Sequence, residues 1–316
     1  MLSVVAFRNA SGVRVRAPAK LNLFFEVLGK RSDGFHEIET LMAPIDLCDD
    51  LLLEVDPTGG ISVACTWAVA NLRGRHATLG ELPASESNLA TRALRLLQKR
   101  AAISLGARVR LIKRIPAAAG LGGGSADAAA ALYAGNVAWK LGWSLEQLSQ
   151  LAAELGSDAP FFLHRAAAVC LGRGEQVRPV RALGNWPVVV VRPPVGLSTA
   201  EVYRDCKTGM PPNSAEPLVD ALRRGDNRQL AAHVANRLQA AAESLSPWIV
   251  RLRLEFEQLN LPAAQMSGSG SSYFGICRSR RHARRVAARL RGRGVGNVWV
   301  VQMGPAALGQ INSASG

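Results

Sequence analysis

The 316-residue sequence has few cysteines, no paired metal-ligand motif and no long hydrophobic run. Its five cysteines are odd in number and widely spaced, which excludes a disulfide framework and a C-x-x-C metal pair. Its five histidines lack H-x-x-x-H or H-E-x-x-H spacing, so a dedicated zinc site is not expected. Aliphatic runs such as residues 188–191 are far shorter than the ~20 residues that span a bilayer. We therefore expect a cytoplasmic protein without a membrane segment.

Acidic residues are scarce beside basic ones, at 24 against 38, which gives a net charge of +14. Of the basic residues, 32 are arginine and only six are lysine. Such charge is compatible with a nucleic-acid partner, because phosphates attract basic surfaces. The charges are nevertheless spread along the chain, which favours a solvated arginine-rich surface. No dedicated nucleic-acid partner is expected, and a small phosphorylated substrate would need only a few of these charges.

Length and hydrophobic periodicity predict a two-domain α+β protein. Hydrophobic residues make up 48% of the chain and charged residues 20%, which is ordinary for a globular protein. We predict strands at residues 13–16, 21–28, 38–45, 51–55, 61–65, 107–112, 188–191, 272–277 and 297–301. We predict helices at residues 88–100, 125–140, 144–155, 200–205, 216–223, 227–240, 247–259 and 280–291. Residues 66–86 are assigned to a loop, the domains to 1–175 and 176–303, and a flexible tail to 304–316.

The clearest local motif is a glycine-rich turn between a predicted strand and a predicted helix. Residues 116–127 read PAAAGLGGGSAD. Glycines let the backbone approach a ligand closely, and a helix N-terminus attracts negative charge, so phosphate binding is favoured over a flexible turn. No lysine follows the glycines, which excludes a Walker loop. Ser125 also stands where the dinucleotide fingerprint requires glycine.

Three further segments are ambiguous when each is taken alone. Lys20 interrupts an apolar strand, where it either faces a cleft or extends its ammonium to the surface. Asp158 follows a helix end in the sequence GSDAP, which is compatible with a turn former, a base or a metal ligand. Residues 266–272, MSGSGSS, are compatible with a linker or a ligand loop.

In this order, the segment around Lys20, the glycine turn and the late Gly-Ser turn resemble the three signature motifs of the GHMP kinases. Residues 31–36, 87–89, 113–116, 156–160 and 172–175 resemble one branch of that family. This branch phosphorylates 4-diphosphocytidyl-2-C-methyl-D-erythritol in non-mevalonate isoprenoid biosynthesis. The resemblance covers residues 14–303. It implies a two-domain GHMP kinase fold with the active site in the interdomain cleft, and ATP-dependent transfer to the 2-hydroxyl of a cytidine diphosphate substrate.

The resemblance also implies a role for each matched residue. Lys20 and Asp158 match the catalytic pair, in which Asp158 receives the hydroxyl proton and Lys20 stabilises charge on the transferring group. The residues that would hold ATP are Asn88, Lys113, Pro116, Ala117, Ala118, Ala119, Gly120, Leu121, Gly122, Gly123, Gly124, Ser125 and Ala126. Ser125 would also lie near Mg²⁺. The substrate-binding residues would be Phe35 and Tyr203 on the cytosine faces, His36 at its edge, and Asn22 and Thr199 at the methylerythritol or the diphosphate.

Two alternatives stay open. A GHMP kinase of the homoserine or mevalonate type would explain the motifs, although it would not require a base-binding set of Phe35, His36 and Tyr203. A non-catalytic nucleotide-binding or nucleic-acid-binding protein is suggested by the net charge and by the basic segment 280–291. Retention of both Lys20 and Asp158 speaks against that second alternative. Phe35 is itself a departure, because many family members carry tyrosine there, and Tyr203 is also compatible with core packing.

Overall fold

The computed structural model describes residues 3–5, 12–68, 79–164, 166–208 and 211–304. The tail predicted at 304–316, apart from Gly304, and residues 69–78 of the predicted loop therefore lie outside the described residues. The strands are β1 Ser3–Val5, β2 Val13–Lys30, β3 His36–Asp56, β4 Ile61–Trp67, β5 Gly106–Lys113, β6 Ala167–Gly172, β7 Gln176–Val180, β8 Trp186–Arg192, β9 Ala235–Asn236, β10 Ala263–Met266, β11 Tyr273–Ile276 and β12 Asn297–Met303. The helices are α1 Leu89–Ala101, α2 Gly123–Ala138, α3 Leu145–Leu155, α4 Ala159–His164, α5 Thr199–Arg204, α6 Glu216–Arg224, α7 Asn227–His233, α8 Gln239–Leu245, α9 Pro247–Glu257 and α10 Arg280–Gly292.

One sheet connects all twelve strands of the described residues, along a main path β1-β2-β3-β12-β8-β11-β10. Its spine is the antiparallel pair β2 and β3, which are joined by the turn at residues 31–35. Strands β5 and β6 pair with two successive parts of β3, and β4 lies parallel to β5. Strand β12 pairs with β8 along its length and with β3 at Met303. The C-terminal half of the chain thereby returns to the N-terminal half, and the α+β class is confirmed.

The two long strands correct the sequence prediction, which divided each of them in two. Strand β2 covers the predicted segments 13–16 and 21–28, and β3 covers 38–45 and 51–55. Register shifts at Pro18/Ala19 and Asn22/Phe24 keep β2 paired through positions where alternation fails. Alternation fails there because residues 17–27 are buried on both faces of the sheet. Helix α1 to helix α4 cover one of those faces.

Strand β8 shows why a short aliphatic run can be a strand. Val188 and Val190 belong to the core that packs on β2, β3 and α6. Val189 and Val191 belong to the core under α8, α9 and α10. Successive side chains of a strand point to opposite faces, so a strand between two cores is apolar at every position. None of the described helices is long and apolar enough to span a membrane.

Two further predictions need correction. The helix predicted at 227–240 is broken into α7, the two-residue strand β9 and α8, because Asn236 donates to the carbonyls of Met266 and Gly268, both at 2.8 Å. These tertiary partners override the local helical pattern. The domain boundary after residue 175 falls in the turn of the β6–β7 hairpin, where it would separate paired strands. Helix α4 and strands β6, β7 and β10 were not predicted.

Candidate active site

The main cleft of the described structure has a volume of about 980 Å³. It is enclosed by strand β2, the β2–β3 turn, the glycine turn, the α3–α4 loop with Asp158, the β6–β7 turn with Arg173, helix α5 and the late Gly-Ser turn. The predicted site residues that line it are Lys20, Phe35, His36, Ala118, Gly120, Gly122, Asp158, Thr199 and Tyr203. Segments separated by up to 250 residues of sequence therefore meet in one cavity.

Lys20 and Asp158 form an ion pair at the floor of the cleft, with Nζ 3.3 Å from Oδ2. The Lys20 side chain is 5% exposed and the Asp158 side chain 32% exposed. The carboxylate therefore faces the cavity, whereas the ammonium that pairs with it is buried. Lys20 also donates to Asn22 Oδ1, and Asn22 Nδ2 donates to Thr40 Oγ1 at 2.9 Å. Both polar ends of the Asn22 side chain are therefore occupied, which fixes the orientation of the ammonium.

At Gly120 and Gly122 the glycine turn packs too closely against its surroundings for a side chain. A Cβ on Gly122 would lie 2.7 Å from Phe162 Cζ and 3.0 Å from Lys20 Cγ, and φ of Gly122 is +71°. A Cβ on Gly120, also at +71°, would lie 2.3 Å from the Ser267 carbonyl. No side chain caps helix α2, so its first N–H groups stay available for an anion at the cleft.

Ser267 joins the two Gly-rich turns to the catalytic strand. Its hydroxyl donates to the Gly120 carbonyl at 3.0 Å and accepts from the Asn22 backbone at 3.2 Å. Ser269, on the same Gly-Ser turn, has its Oγ 2.9 Å from Oγ1 of Thr199 at the start of α5. The late Gly-Ser turn is therefore a wall of the cleft and not a linker.

The aromatic side of the cleft is only partly open. Phe35 is 50% exposed and stacks against the Arg173 guanidinium, whose carbon lies 4.7 Å from the ring centroid. Tyr203 packs against His36, with centroids 5.0 Å apart, and contacts the buried Phe25 edge-on. Tyr203 thus lines the cleft with one part of its ring and packs against the core with another. Its position is therefore compatible both with binding of a base and with core packing. Burial and the nearby charge of Lys30 lower the pKa of His36, so its imidazole is neutral at pH 7.

Two residues expected beside adenine have other partners. Asn88 is buried as the N-cap of α1, where its side chain accepts from the Ala90 backbone at 2.9 Å. Lys113 is buried between two carboxylates, Asp49 at 2.5 Å and Asp127. Neither side chain lines the cleft. Lys113 therefore lies underneath the glycine turn, where two carboxylates hold its ammonium.

The cluster of Asp49, Lys113 and Asp127 connects β3, β5 and α2. Asp49 Oδ1 also accepts from the backbone N–H groups of Arg114, at 2.5 Å, and Ile115, at 2.9 Å, just before the glycine turn. Burial and the Asp49 carboxylate raise the pKa of Asp127 against the attraction of Lys113, since two carboxylates share one ammonium. This cluster was not predicted from the sequence, although Asp127 is the last residue of the glycine-rich motif 116–127. Arg173 was not predicted either, although it lies in the segment 172–175 that resembles the family.

Metal ligands are sparse in this cleft. No group of three histidine, cysteine, aspartate or glutamate side chains suited to a metal occurs among the described residues. Ser125, in the first turn of α2, offers one hydroxyl near Gly156. This donor set fits a magnesium ion that is held mainly by nucleotide phosphates and water.

A helix N-terminus free for phosphate, beside a lysine–carboxylate pair in a cleft with an aromatic wall, is the arrangement of a small-molecule kinase. Comparison with known families agrees with this class. The model of the GHMP kinases N terminal domain matches residues 88–166, and the GHMP kinases C terminal model matches residues 218–296. The chain therefore belongs to the GHMP kinases.

Individual relatives are more specific. The chain is 42% identical over 277 residues to the 4-diphosphocytidyl-2-C-methyl-D-erythritol kinase of Pelotomaculum thermopropionicum, covering 87% of this chain and 92% of the relative. It is 36% identical to the protein of the same name from Shouchella clausii, covering 88% and 90%. A crystal structure of 4-(cytidine 5'-diphospho)-2C-methyl-D-erythritol kinase aligns with a TM-score of 0.77 at 36% identity, over 92% of this chain and 99% of that chain. A homoserine kinase from Cytophaga hutchinsonii, at 18% identity and a TM-score of 0.71, shares the fold.

Proposed function

We propose that this protein transfers the γ-phosphoryl group of ATP to the 2-hydroxyl of 4-diphosphocytidyl-2-C-methyl-D-erythritol, as a phosphotransferase of non-mevalonate isoprenoid biosynthesis. The observation that carries the proposal is the Lys20–Asp158 pair, 3.3 Å apart, in the cleft that also contains Phe35 and His36. The similarity to kinases of this name over 87% of the chain supports the same substrate.

The catalytic step needs positioning and charge stabilisation more than covalent chemistry. Asp158 presents its carboxylate to the cavity, where it accepts the proton of the attacking hydroxyl or holds that hydroxyl in line. Lys20 is held rigidly by Asn22 and Asp158, so its ammonium is already oriented when charge develops on the transferring phosphoryl group. Asn22 acts here through Lys20, because its side chain has no free polar atom for substrate.

The nucleotide side rests on backbone geometry. The N–H groups of Gly123, Gly124 and Ser125 begin helix α2 without a capping side chain and would hold the triphosphate, with Ala126 buried behind them. Mg²⁺ would be bound by the phosphates with Ser125 as its protein contact, and it would neutralise charge that develops between the β- and γ-phosphates. The Lys113 cluster supports this turn from below.

The cytidine side would place the base between Phe35 and Tyr203, with neutral His36 at its polar edge. Stacking on aromatic side chains stabilises bound bases by about 1–3 kcal/mol per base in other proteins. Phe35 is exposed enough to receive a base, whereas Tyr203 offers the part of its ring that the core does not cover. Thr199 would contact the diphosphate from the start of α5.

Two further properties belong to the proposal. The five cysteines are free thiols, three of them buried, which is consistent with the reducing cytoplasm. A GHMP kinase for homoserine or mevalonate is the second candidate, but a homoserine kinase and a mevalonate kinase that share the fold are only 18% and 16% identical to this chain and support the fold alone.

The test is substrate-dependent ADP release with Mg·ATP, comparing the wild type with Asp158→Asn. Asp220→Asn, on the surface of α6, is the matched control because it removes one carboxylate far from the cleft. We expect turnover with 4-diphosphocytidyl-2-C-methyl-D-erythritol in the wild type and the control, and a loss of at least about 100-fold in Asp158→Asn. Turnover with homoserine or mevalonate alone would overturn the substrate assignment, and equal rates in Asp158→Asn would overturn the role of Asp158.

A further inference from the structure

The net charge of this protein is concentrated near its C-terminus. Glu257 is the last acidic residue, so the 59 residues from 258 to 316 contain none. Those residues contain eight arginines, all between positions 278 and 293, and therefore contribute eight of the fourteen net positive charges. A general preference for arginine over lysine explains the type of cation. It does not explain the absence of every compensating carboxylate from one continuous segment.

Helix α10 presents five of these arginines to solvent. Its buried residues, Ala283, Val286, Ala287 and Leu290, pack into the core with β8 and β12. The opposite face carries Arg280, Arg281, Arg284, Arg285 and Arg289, all exposed. Within the described part of the chain, none of these five side chains has an ion-pair or hydrogen-bond partner. Other arginines nearby are engaged, since Arg293 pairs with Glu255 and Arg291 donates to the Val298 carbonyl.

The spacing of this face suits a row of phosphates. Residues four apart on a helix lie about 6 Å apart along its axis, so Arg281, Arg285 and Arg289 form one row and Arg280 and Arg284 a second. One guanidinium group can donate two parallel hydrogen bonds to the oxygens of one phosphate, and it is more weakly hydrated than an ammonium group. Five such groups along a helix of about 20 Å make a surface that attracts a polyanion.

A nucleic acid fits this face better than a lipid bilayer does. Interfacial helices insert an apolar face between lipids, whereas the apolar face of α10 is buried in the protein core. The arginine face also carries no asparagine or glutamine to read bases, and no phenylalanine, tyrosine or tryptophan to stack on them. Contact would therefore be with the phosphodiester backbone, without sequence preference.

We propose that the α10 arginine face is a binding surface for the phosphate backbone of a nucleic-acid duplex, separate from the kinase cleft. No residue of α10 lines that cleft, so the two activities use different parts of the molecule. The earlier expectation of no nucleic-acid partner rested on charges spread along the chain. Helix α10 nevertheless presents, on one face, five exposed arginines without an ion-pair partner among the described residues.

The experiment is a fluorescence anisotropy titration of a labelled DNA duplex of about 24 base pairs, from about 50 to 200 mM NaCl. The variant is Arg281→Gln/Arg285→Gln/Arg289→Gln. The matched control, Arg92→Gln/Arg178→Gln/Arg228→Gln, removes the same charge from scattered exposed positions. If five phosphates are neutralised, wild-type affinity falls on the order of 500-fold over this range. The α10 variant should lower the salt slope by about 2 to 3, and the control should retain the wild-type slope.

Kinase turnover measured in parallel keeps this proposal separate from the proposed function, because both triple variants should phosphorylate substrate at the wild-type rate. Equal loss of DNA binding in both variants would show a general effect of net charge and overturn the proposal. Absence of salt-sensitive binding in the wild type would overturn it as well. Binding to vesicles with about 30% anionic lipid, without binding to DNA, would reassign the face to a membrane surface.

Discussion

Replacing Lys113 with methionine tests whether a buried ion cluster supports the nucleotide turn. The Lys113 side chain is 8% exposed, Asp49 is fully buried and the Asp127 side chain is 5% exposed. Methionine fills a similar volume but leaves two carboxylates without their shared cation. Removing one partner of a buried pair typically costs about 3–5 kcal/mol of unfolding free energy. The loss should appear near the upper end of that range, because two carboxylates lose the same partner.

The raised pKa of Asp127 determines how the unfolding free energy depends on pH. Burial already raises the pKa of Asp127 in the native state, so between its unfolded and folded pKa values the native state binds more protons than the unfolded state. Stability contributed by this group therefore falls as pH rises through that window. Loss of Lys113 raises the folded pKa further. Below the native pKa of Asp127, about 8, the wild type and Lys113→Met lose stability in parallel, so the deficit of Lys113→Met should be constant from pH 6 to 7 and larger at pH 9.

Urea unfolding at pH 6, 7 and 9 measures the effect, with Lys113→Met/Asp127→Asn as the diagnostic second variant. That double variant leaves one buried carboxylate, and Asp49 keeps the backbone N–H groups of Arg114 and Ile115 as donors. We expect the double variant to recover part of the lost stability and to show a flatter pH dependence. A double variant no more stable than Lys113→Met would refute the argument from shared charge. A raised KM for ATP with little change in the KM for the cytidyl substrate would locate the effect at the nucleotide turn.

Three shorter predictions concern the cleft. Lys20→Met should lower kcat by about 10²–10³-fold with smaller changes in KM, as measured by steady-state ADP release, because the ammonium acts on developing charge. Gly122→Ala should prevent ATP binding in calorimetry, since its Cβ would lie 2.7 Å from Phe162 Cζ at a φ of +71°, whereas Gly142→Ala, with open space around it, should bind normally. The lowered pKa of His36 predicts a KM for the cytidyl substrate that is constant above the ordinary histidine pKa of about 6.5 and rises at lower pH. His36→Ala should have a raised KM at every pH and should lose that rise, and a KM that still rises at low pH would contradict the assignment.

Much of the local structure followed from periodicity and end signals. Helix α3 begins where the helix 144–155 was predicted, at a capping box of Ser144 and Gln147, and Ser279 caps the amphipathic α10. These features can be predicted from the sequence because a helix cap and the apolar face of a helix depend on residues only a few positions apart. The glycine turn was equally readable, because glycine at a strand-to-helix junction is a local steric requirement.

What the sequence by itself determined is therefore the α+β class, most helices, the glycine turn at a strand-to-helix junction and, through family resemblance, the roles expected of Lys20 and Asp158. Only the tertiary structure decided that β2 and β3 run unbroken, that residues 227–245 divide around Asn236, and that Lys113 lies between Asp49 and Asp127. The physical reason is separation along the chain. Asp49, Asp127 and the Met266 carbonyl become hydrogen-bond partners only through the fold, so the residues next to Lys113 or Asn236 in the sequence do not indicate them.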